Sequence, residues 1–441
     1  MASAVPKLLL LVLCSYHTLV AHAGGGRSYT VLSVGSLNKS DSVCSEPKAM
    51  PSSSTGFTVP LRHRHGPCSP LTTKKMPTLA EKLRRDKLRA ASIQRKFSAA
   101  IGAGGGTFQQ SDATVPTTLG TSLDTLELEY VITVGLGSPA ATQTVLIDTG
   151  SDVSWVQCKP CSQCHSQADP LFDPSSSSTY SPFSCGSATC TQLGHNGNGC
   201  SSSSQCQYIV RYGDGSTTMG TYISDTLALG SNTFNNFQFG CSNAESGFND
   251  DQTDGLMGLG GGAQSLVSQT AGTFGSAFSY CLPPTPGSSG FLTLGAGTTS
   301  GFVTTPMLRS RQFPTVYGVR LQAIRVGGTQ LNIPTSAFSA GSIMDSGTVI
   351  TRLPRTAYSA LSSAFRAGMK NISGIPAVAL VFSGGAVVDL DPNGIMLDNC
   401  LAFAGNSDDG SLGIIGNVQQ RTFEVLYDVG GGAVGFRAGA C

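Results

Sequence analysis

The sequence predicts a mainly β protein made of two similar halves. Three observations lead there. Charged residues are only 12% of the 441-residue chain, while glycine alone supplies 55 positions. Short Val-, Ile- and Thr-rich runs recur, separated by Gly, Asn and Ser, as strands and turns do. One strand-and-turn element also occurs twice. Val145-Leu146-Ile147-Asp148-Thr149-Gly150-Ser151 is matched by Ser342-Ile343-Met344-Asp345-Ser346-Gly347-Thr348. A chain of this length also exceeds one ordinary domain.

The elements follow in chain order. Lys7, the apolar run Leu8–Cys14 and the small-x-small triplet Ala21-His22-Ala23 form a secretory signal, residues 1–23. The run is too short to cross a bilayer, which takes about 20 residues. We therefore expect secretion and no membrane anchor. Residues 24–110 form a basic leader with 14 Lys/Arg against 4 Asp/Glu. Residues 111–441 are acidic, with 12 against 22. Secretion argues against a nucleic-acid arm. A detachable propeptide that neutralises an acidic cleft fits better.

Within the leader one helix is expected from Thr78 onward. Thr78 caps it and Glu81 completes a capping box. Leu79, Leu83 and Ile93 fall near one face, with Arg and Lys on the other. Gly104-Gly105-Gly106 then reads as an exposed linker and a cleavage region.

From Glu129 the strand pattern begins with Tyr130–Gly137 and Thr144–Ile147. Tyr212-Gly213-Asp214-Gly215-Ser216 reads as a hairpin tip. The clearest helix is Arg355–Met369, with Thr356 as its cap. Each repeated motif is followed later by an apolar-apolar-Gly element, Leu256-Met257-Gly258 and Ile414-Ile415-Gly416. Two such halves would meet about a pseudo-twofold axis and bring their two acids together.

That meeting has chemical meaning. Two neighbouring carboxyls cannot both ionise cheaply, so they share a proton. One can then act as base on a water while the other acts as acid. Gly150 and Gly347 permit tight turns that bring backbone N–H groups to the carboxyls. Thr149, Ser151, Ser346 and Thr348 supply hydroxyls that orient them.

Together these residues identify a resemblance. The two motifs, Trp155 seven residues after Asp148, and the Tyr212–Ser216 tip resemble the pepsin-like aspartic peptidases. The cysteine-rich stretch from Cys158 to Cys206 resembles the nepenthesin-like plant branch. The resemblance covers roughly residues 129–441. It implies a bilobal fold of two pseudo-symmetric β-barrel lobes, with the active site in the cleft between them. The lobes would be 111–300, carrying a Cys-rich insert at 158–206, and 301–441. Asp148 and Asp345 would be the catalytic pair. Tyr212, Gly213 and Asp214 would form a substrate-binding flap supported by Trp155. Polypeptide substrates, the chain's own propeptide and pepstatin-type inhibitors would be partners of a monomer acting in acid. It would act outside the cell, with the vacuole as the alternative.

The cysteines need a separate reading. Cys161-Ser162-Gln163-Cys164-His165 matches a haem-attachment pattern, and with Cys158 it resembles a zinc cluster. Both require reduced thiols. Seven cysteines between Cys158 and Cys206 in a secreted chain point instead to disulfides, so no metal or cofactor is expected. The resemblance implies bridges Cys158–Cys161, Cys164–Cys241, Cys185–Cys206, Cys190–Cys200 and Cys281–Cys441, which leave Cys400 unpaired. Asn38 and Asn371 begin glycosylation sequons.

One departure stands out. Asp148 precedes Gly258 by 110 positions, but Asp345 precedes Gly416 by only 71. We expect the C-terminal half to be shortened near 370–372. That motivates a second reading, a catalytically impaired pepsin-like binding or inhibitor protein.

Overall fold

The computed structural model describes residues 56–71, 77–102, 129–248, 252–285, 287–295, 299–310, 313–371, 374–439 and 441. The signal segment, Asn38, the glycine linker and residues 111–128 lie outside them. The architecture is mainly β, as expected. Most strands join one sheet of fifteen, beside sheets of five, four and two strands. No helix among the described residues is long and apolar enough to cross a membrane.

The repeat in the sequence is a repeat in the fold. In the first half, strand Ala141–Asp148 runs parallel to Gly255–Gly258, and Asp148 lies opposite Gly258. In the second half, Ser342–Met344 runs parallel to Gly413–Ile415, and Met344 lies opposite Ile415. Asp148 therefore ends, and Asp345 directly follows, a buried strand whose neighbour is the apolar-apolar-Gly element. Fully buried strands of this kind read as continuous apolar runs rather than alternating ones. Gly258 and Gly416 are needed there, because a Cβ would meet backbone at 2.4 Å and 2.7 Å respectively.

The halves are stitched together by the strands between and after them. Ala277–Cys281 pairs with Ser289–Leu294 on one side and with the late strand Phe423–Asp428 on the other. Phe278 and Tyr427 stack across that seam, 4.5 Å between ring centroids. Helix Arg355–Asn371 buries Ala357, Leu361 and Phe365 completely, each four residues after the last, on one face of an amphipathic helix. Its expected cap is a correction. Thr356 does not cap the helix; Asp409 accepts the Thr356 N–H at 2.7 Å and its hydroxyl at 2.6 Å. An acid from a distant loop satisfies the first turn in place of a local residue.

The leader holds one element more than the sequence suggested. Phe57–His63 is a strand, antiparallel to Ser289–Leu294 from Phe57↔Leu294 to Arg62↔Ser289. At its end it also pairs with Tyr130–Leu136, through Arg62↔Val131 and His63↔Tyr130. Val59, Leu61 and His63 point into the core. Burying side chains the size of Val59 and Leu61 contributes about 1.5–3 kcal/mol each. Pro60 obscured the strand in the sequence. It lies where the strand is paired on one side alone, which tolerates a missing N–H.

Candidate active site

The two motifs meet as the repeat implied. The Thr149 backbone N–H donates to Ser346 Oγ at 3.1 Å, and the Ser346 N–H donates to Thr149 Oγ1 at 2.9 Å. This reciprocal pair locks the two loops together across the halves. Gly150 N–H donates to Asp148 Oδ1 at 2.9 Å, and Gly347 N–H donates to Asp345 Oδ1 at 3.2 Å. Both carboxyls are 1% exposed. Thr348 Oγ1 adds a 2.5 Å bond to Asp345 Oδ2. The matching hydroxyl, Ser151 Oγ, is buried and makes no hydrogen bond, and Asp148 Oδ2 makes none either. The halves are thus equivalent in backbone but not in every side chain.

The flap residues also come together. Tyr212 follows strand Cys206–Arg211, and its N–H donates to Ser216 O at 2.9 Å across the turn. Asp214 Oδ1 accepts the Ser216 N–H at 2.9 Å and its hydroxyl at 2.6 Å. Gly215 takes a φ of +96°, which favours glycine. Trp155 Nε1 donates to Tyr212 Oη at 2.6 Å. Phe248 packs edge-on against both rings.

The leader helix, Leu79–Gly102, fills the space between these groups. Its capping box forms as expected, with Thr78 N–H donating to Glu81 at 2.7 Å and Glu81 N–H to Thr78 Oγ1 at 3.3 Å. Arg89 reaches the acids. Nη2 donates to Asp148 Oδ1 at 2.8 Å and to Asp345 Oδ1 at 2.7 Å, and Nε donates to Asp345 Oδ2 at 2.9 Å. The glycines of both motifs make the room, since a Cβ on Gly347 would lie 2.3 Å from the guanidinium carbon. The Tyr212–Ser216 turn packs on the same helix, where Gly213 leaves no space for a Cβ beside Ser92 and Arg89. Burial would push Asp345 up. The Arg89 guanidinium, the Thr348 hydroxyl and the Gly347 amide outweigh it and hold the carboxyl below its ordinary value. Burial would lower Arg89, but the charges of Asp148 and Asp345 hold it above its ordinary value.

Further contacts run along the helix. Leu83 packs with Val349, Ile350, Ala402 and Val418. Asp86 accepts the Val349 N–H at 2.5 Å and bonds the Arg352 guanidinium. Gln94 exchanges two bonds with the Leu412 backbone, at 2.5 Å and 2.9 Å. The expected division into an apolar and a basic face is therefore incomplete. Asp86 is buried and Arg89 nearly so, because the surface they meet is itself charged. The sequence signal for Arg89 was weak, one basic residue among many. Asn417, also missed, supports the second motif. Its side chain donates to Ser346 O at 3.1 Å and its N–H to Thr348 O at 2.7 Å.

The disulfides correct most of the expected pairing. Cys281–Cys441 forms. The others are Cys158–Cys241, Cys161–Cys164, Cys185–Cys200 and Cys190–Cys206. Strand neighbours decide the first. Trp155–Gln157 runs parallel to the segment around Cys241, with Val156 opposite it, which brings the Cα atoms of Cys158 and Cys241 to 5.4 Å. Cys161 and Cys164 then face each other within one turn. Cys400 is not unpaired: it is disulfide-bonded, as is Cys68 of the leader. The His165 ring bonds Glu245 Oε2 at 2.7 Å and Thr253 O at 2.8 Å. Asn371 is the last residue of its helix.

The xylanase inhibitor N-terminal family matches residues 130–296, and the xylanase inhibitor C-terminal family matches 316–373 and 367–438. An aspartyl protease family protein of Arabidopsis thaliana is 39% identical over 471 aligned positions, which cover 98% of each chain. The aspartic proteinase nepenthesin-2 of Nepenthes gracilis is 36% identical over 349 positions, 71% of this chain and 78% of that one. Among solved structures, soybean basic 7S globulin superposes with a TM-score of 0.56 at 21% identity, covering 70% of this chain and 90% of its own. That last likeness is one of fold. With the paired motifs in place and relatives of this length and identity, the chain belongs to the plant family of pepsin-like aspartic proteases.

Proposed function

We propose that the chain is the latent precursor of a secreted aspartic endopeptidase that cuts polypeptides in acid. The observation that carries this is the pair Asp148 and Asp345, each bonded by its own glycine amide and held together by Thr149 and Ser346. Two buried carboxyls so placed share one proton once the guanidinium between them is gone. The ionised partner takes a proton from water as that water attacks the scissile carbonyl. The protonated partner gives its proton to the departing nitrogen. The Tyr212 flap closes over the substrate and excludes bulk water, which strengthens these interactions.

Latency follows from Arg89, which occupies the acids, and from the helix that fills the cleft. Acid reverses it. Asp345 has a lowered value while Arg89 is docked. Docking is therefore favoured at higher pH and weakens as pH falls through that lowered value. The leader would then be cut between about residues 102 and 124, giving a monomeric product. The route through Asn38 and Asn371 glycosylation to the extracellular space, or to the vacuole, completes the reading.

A second reading keeps the scaffold without turnover, as a pepsin-like binding or inhibitor protein. It is favoured by the matches in two pieces that meet at 367–373. The alignment to the Arabidopsis relative also runs 30 positions longer than this chain. One experiment separates the two. Residues 24–441 are expressed, acidified and offered a denatured protein with and without pepstatin. Pepstatin-sensitive cleavage supports the peptidase. Its absence from folded, leader-free protein leaves the binding reading.

A further inference from the structure

The leader helix brings a carboxylate into the cleft as well as a guanidinium. Asp86 lies three residues before Arg89 and is 1% exposed. Its Oδ1 accepts the Val349 N–H at 2.5 Å, and its Oδ2 bonds Arg352 Nη2. Val349 directly follows the second motif, so this site adjoins Asp345. The Arg352 side chain is only 11% exposed, and its Nε is buried with no hydrogen-bond partner. Among the described residues Asp86 is the sole carboxylate paired with Arg352.

Departure of the leader changes this balance. A guanidinium and an amide N–H, arranged around an anion, are left facing an emptied cleft. An unpaired charge in a sheltered position is costly, and a guanidinium paired with a carboxylate is among the stronger polar contacts. We infer that Arg352 and the Val349 amide form a carboxylate-binding subsite, and that it selects polypeptides carrying Asp or Glu close to the bond that is cut. This rests on the peptidase reading above. Three helical residues rise about 4.5 Å, and an extended peptide advances about 3.3 Å per residue. The acidic side chain thus falls within one to three residues of the scissile bond. Beside it, Val349, Ile350, Ala402 and Val418, which Leu83 covers in the precursor, offer an apolar neighbour site.

Burial at this site raises the Asp86 carboxyl, so the test uses acid-processed protein assayed at the highest pH at which it still turns over, where a peptide carboxyl is ionised, and matched peptides with Asp or Asn at each of the three positions on either side of the cleaved bond. At one position kcat/KM should favour Asp by about tenfold or more. Arg352→Gln should bring the pair within about twofold, Arg352→Lys should keep part of the preference, and Arg352→Glu should favour Lys there instead. Equal rates for Asp and Asn at every position in the wild-type protein, or a preference unchanged by Arg352→Gln, would overturn the subsite. If the wild-type protein cuts neither peptide, the peptidase reading fails separately. Calorimetric affinities for the same pair then decide: tighter binding of the Asp peptide that Arg352→Gln removes supports the subsite, and equal affinities sink it.

Discussion

Arg89→Ala is the perturbation that reports most on latency. In the structure this side chain is 11% exposed and makes three bonds to the two acids. Removing one partner of a buried ion pair typically costs about 3–5 kcal/mol. Part of that is recovered, because the vacated acids can take up a proton and share it. A cost near the lower end, about 3 kcal/mol, weakens docking roughly a hundredfold. The remaining contacts, from Leu83, Asp86 and Gln94, still hold the helix, so the precursor should leak rather than open. The assay is leader loss on gels and peptide turnover by unprocessed precursor, both as functions of pH. The variant should process at higher pH than wild type and show turnover where wild type is silent. Arg89→Lys, which keeps the charge but loses the planar fork, should fall between them. If Arg89→Ala stays as latent as wild type with the same pH profile, Arg89 does not hold the site closed.

Three more expectations can be checked. His63, buried beside Glu129, Arg421, Lys82 and Arg64, is lowered by burial from 6.5 to about 4. A free leader binds that proton first, so docking is undiminished above pH 6.5 and loses about 3 kcal/mol as pH falls to 4. His63→Gln should therefore move leader release to lower pH, read by pH-dependent gels; an unchanged midpoint would remove His63 from the trigger. Asp254 is raised to about 8 by burial and by Asp169. The folded state keeps a proton that the unfolded state releases near 3.8, so stability should fall as pH rises from there to 8. Thermal melts should drop by several degrees between pH 5 and 8, and by less in Asp169→Asn; parallel curves would contradict this. Tyr212→Phe leaves the buried Trp155 N–H without its acceptor, at a cost of about 1–3 kcal/mol. The emission of this single tryptophan should shift and KM should rise; no change in either would mean the pair does not position the flap.

What could be read in the sequence, and what could not, divides along physical lines. The dyad was legible because each acid ends an apolar run and opens a hydroxyl-glycine turn, twice over. The turn at Tyr212–Ser216 was legible in its chemistry, and the helix from Leu79 in its capping box. These are local signals. Arg89 and Asp86 were not legible, because a charged residue on a helix reads as solvated unless the opposing surface is known. The disulfide partners were hidden for a related reason. Cys158 meets Cys241 only because two strands, 83 residues apart, happen to run side by side. Strand Phe57–His63 was masked by Pro60, whose cost depends on which of its edges is paired. Neighbours and edges become readable only once the strand order is known.

The central claim is that Asp148 and Asp345 do the chemistry together. The most direct measurement is turnover of a peptide at acid pH by leader-free wild-type and Asp148→Asn proteins, with thermal melts run in parallel. The account predicts that the variant melts like wild type and loses at least about a thousandfold in kcat. Turnover retained within about tenfold by a folded Asp148→Asn protein would contradict it.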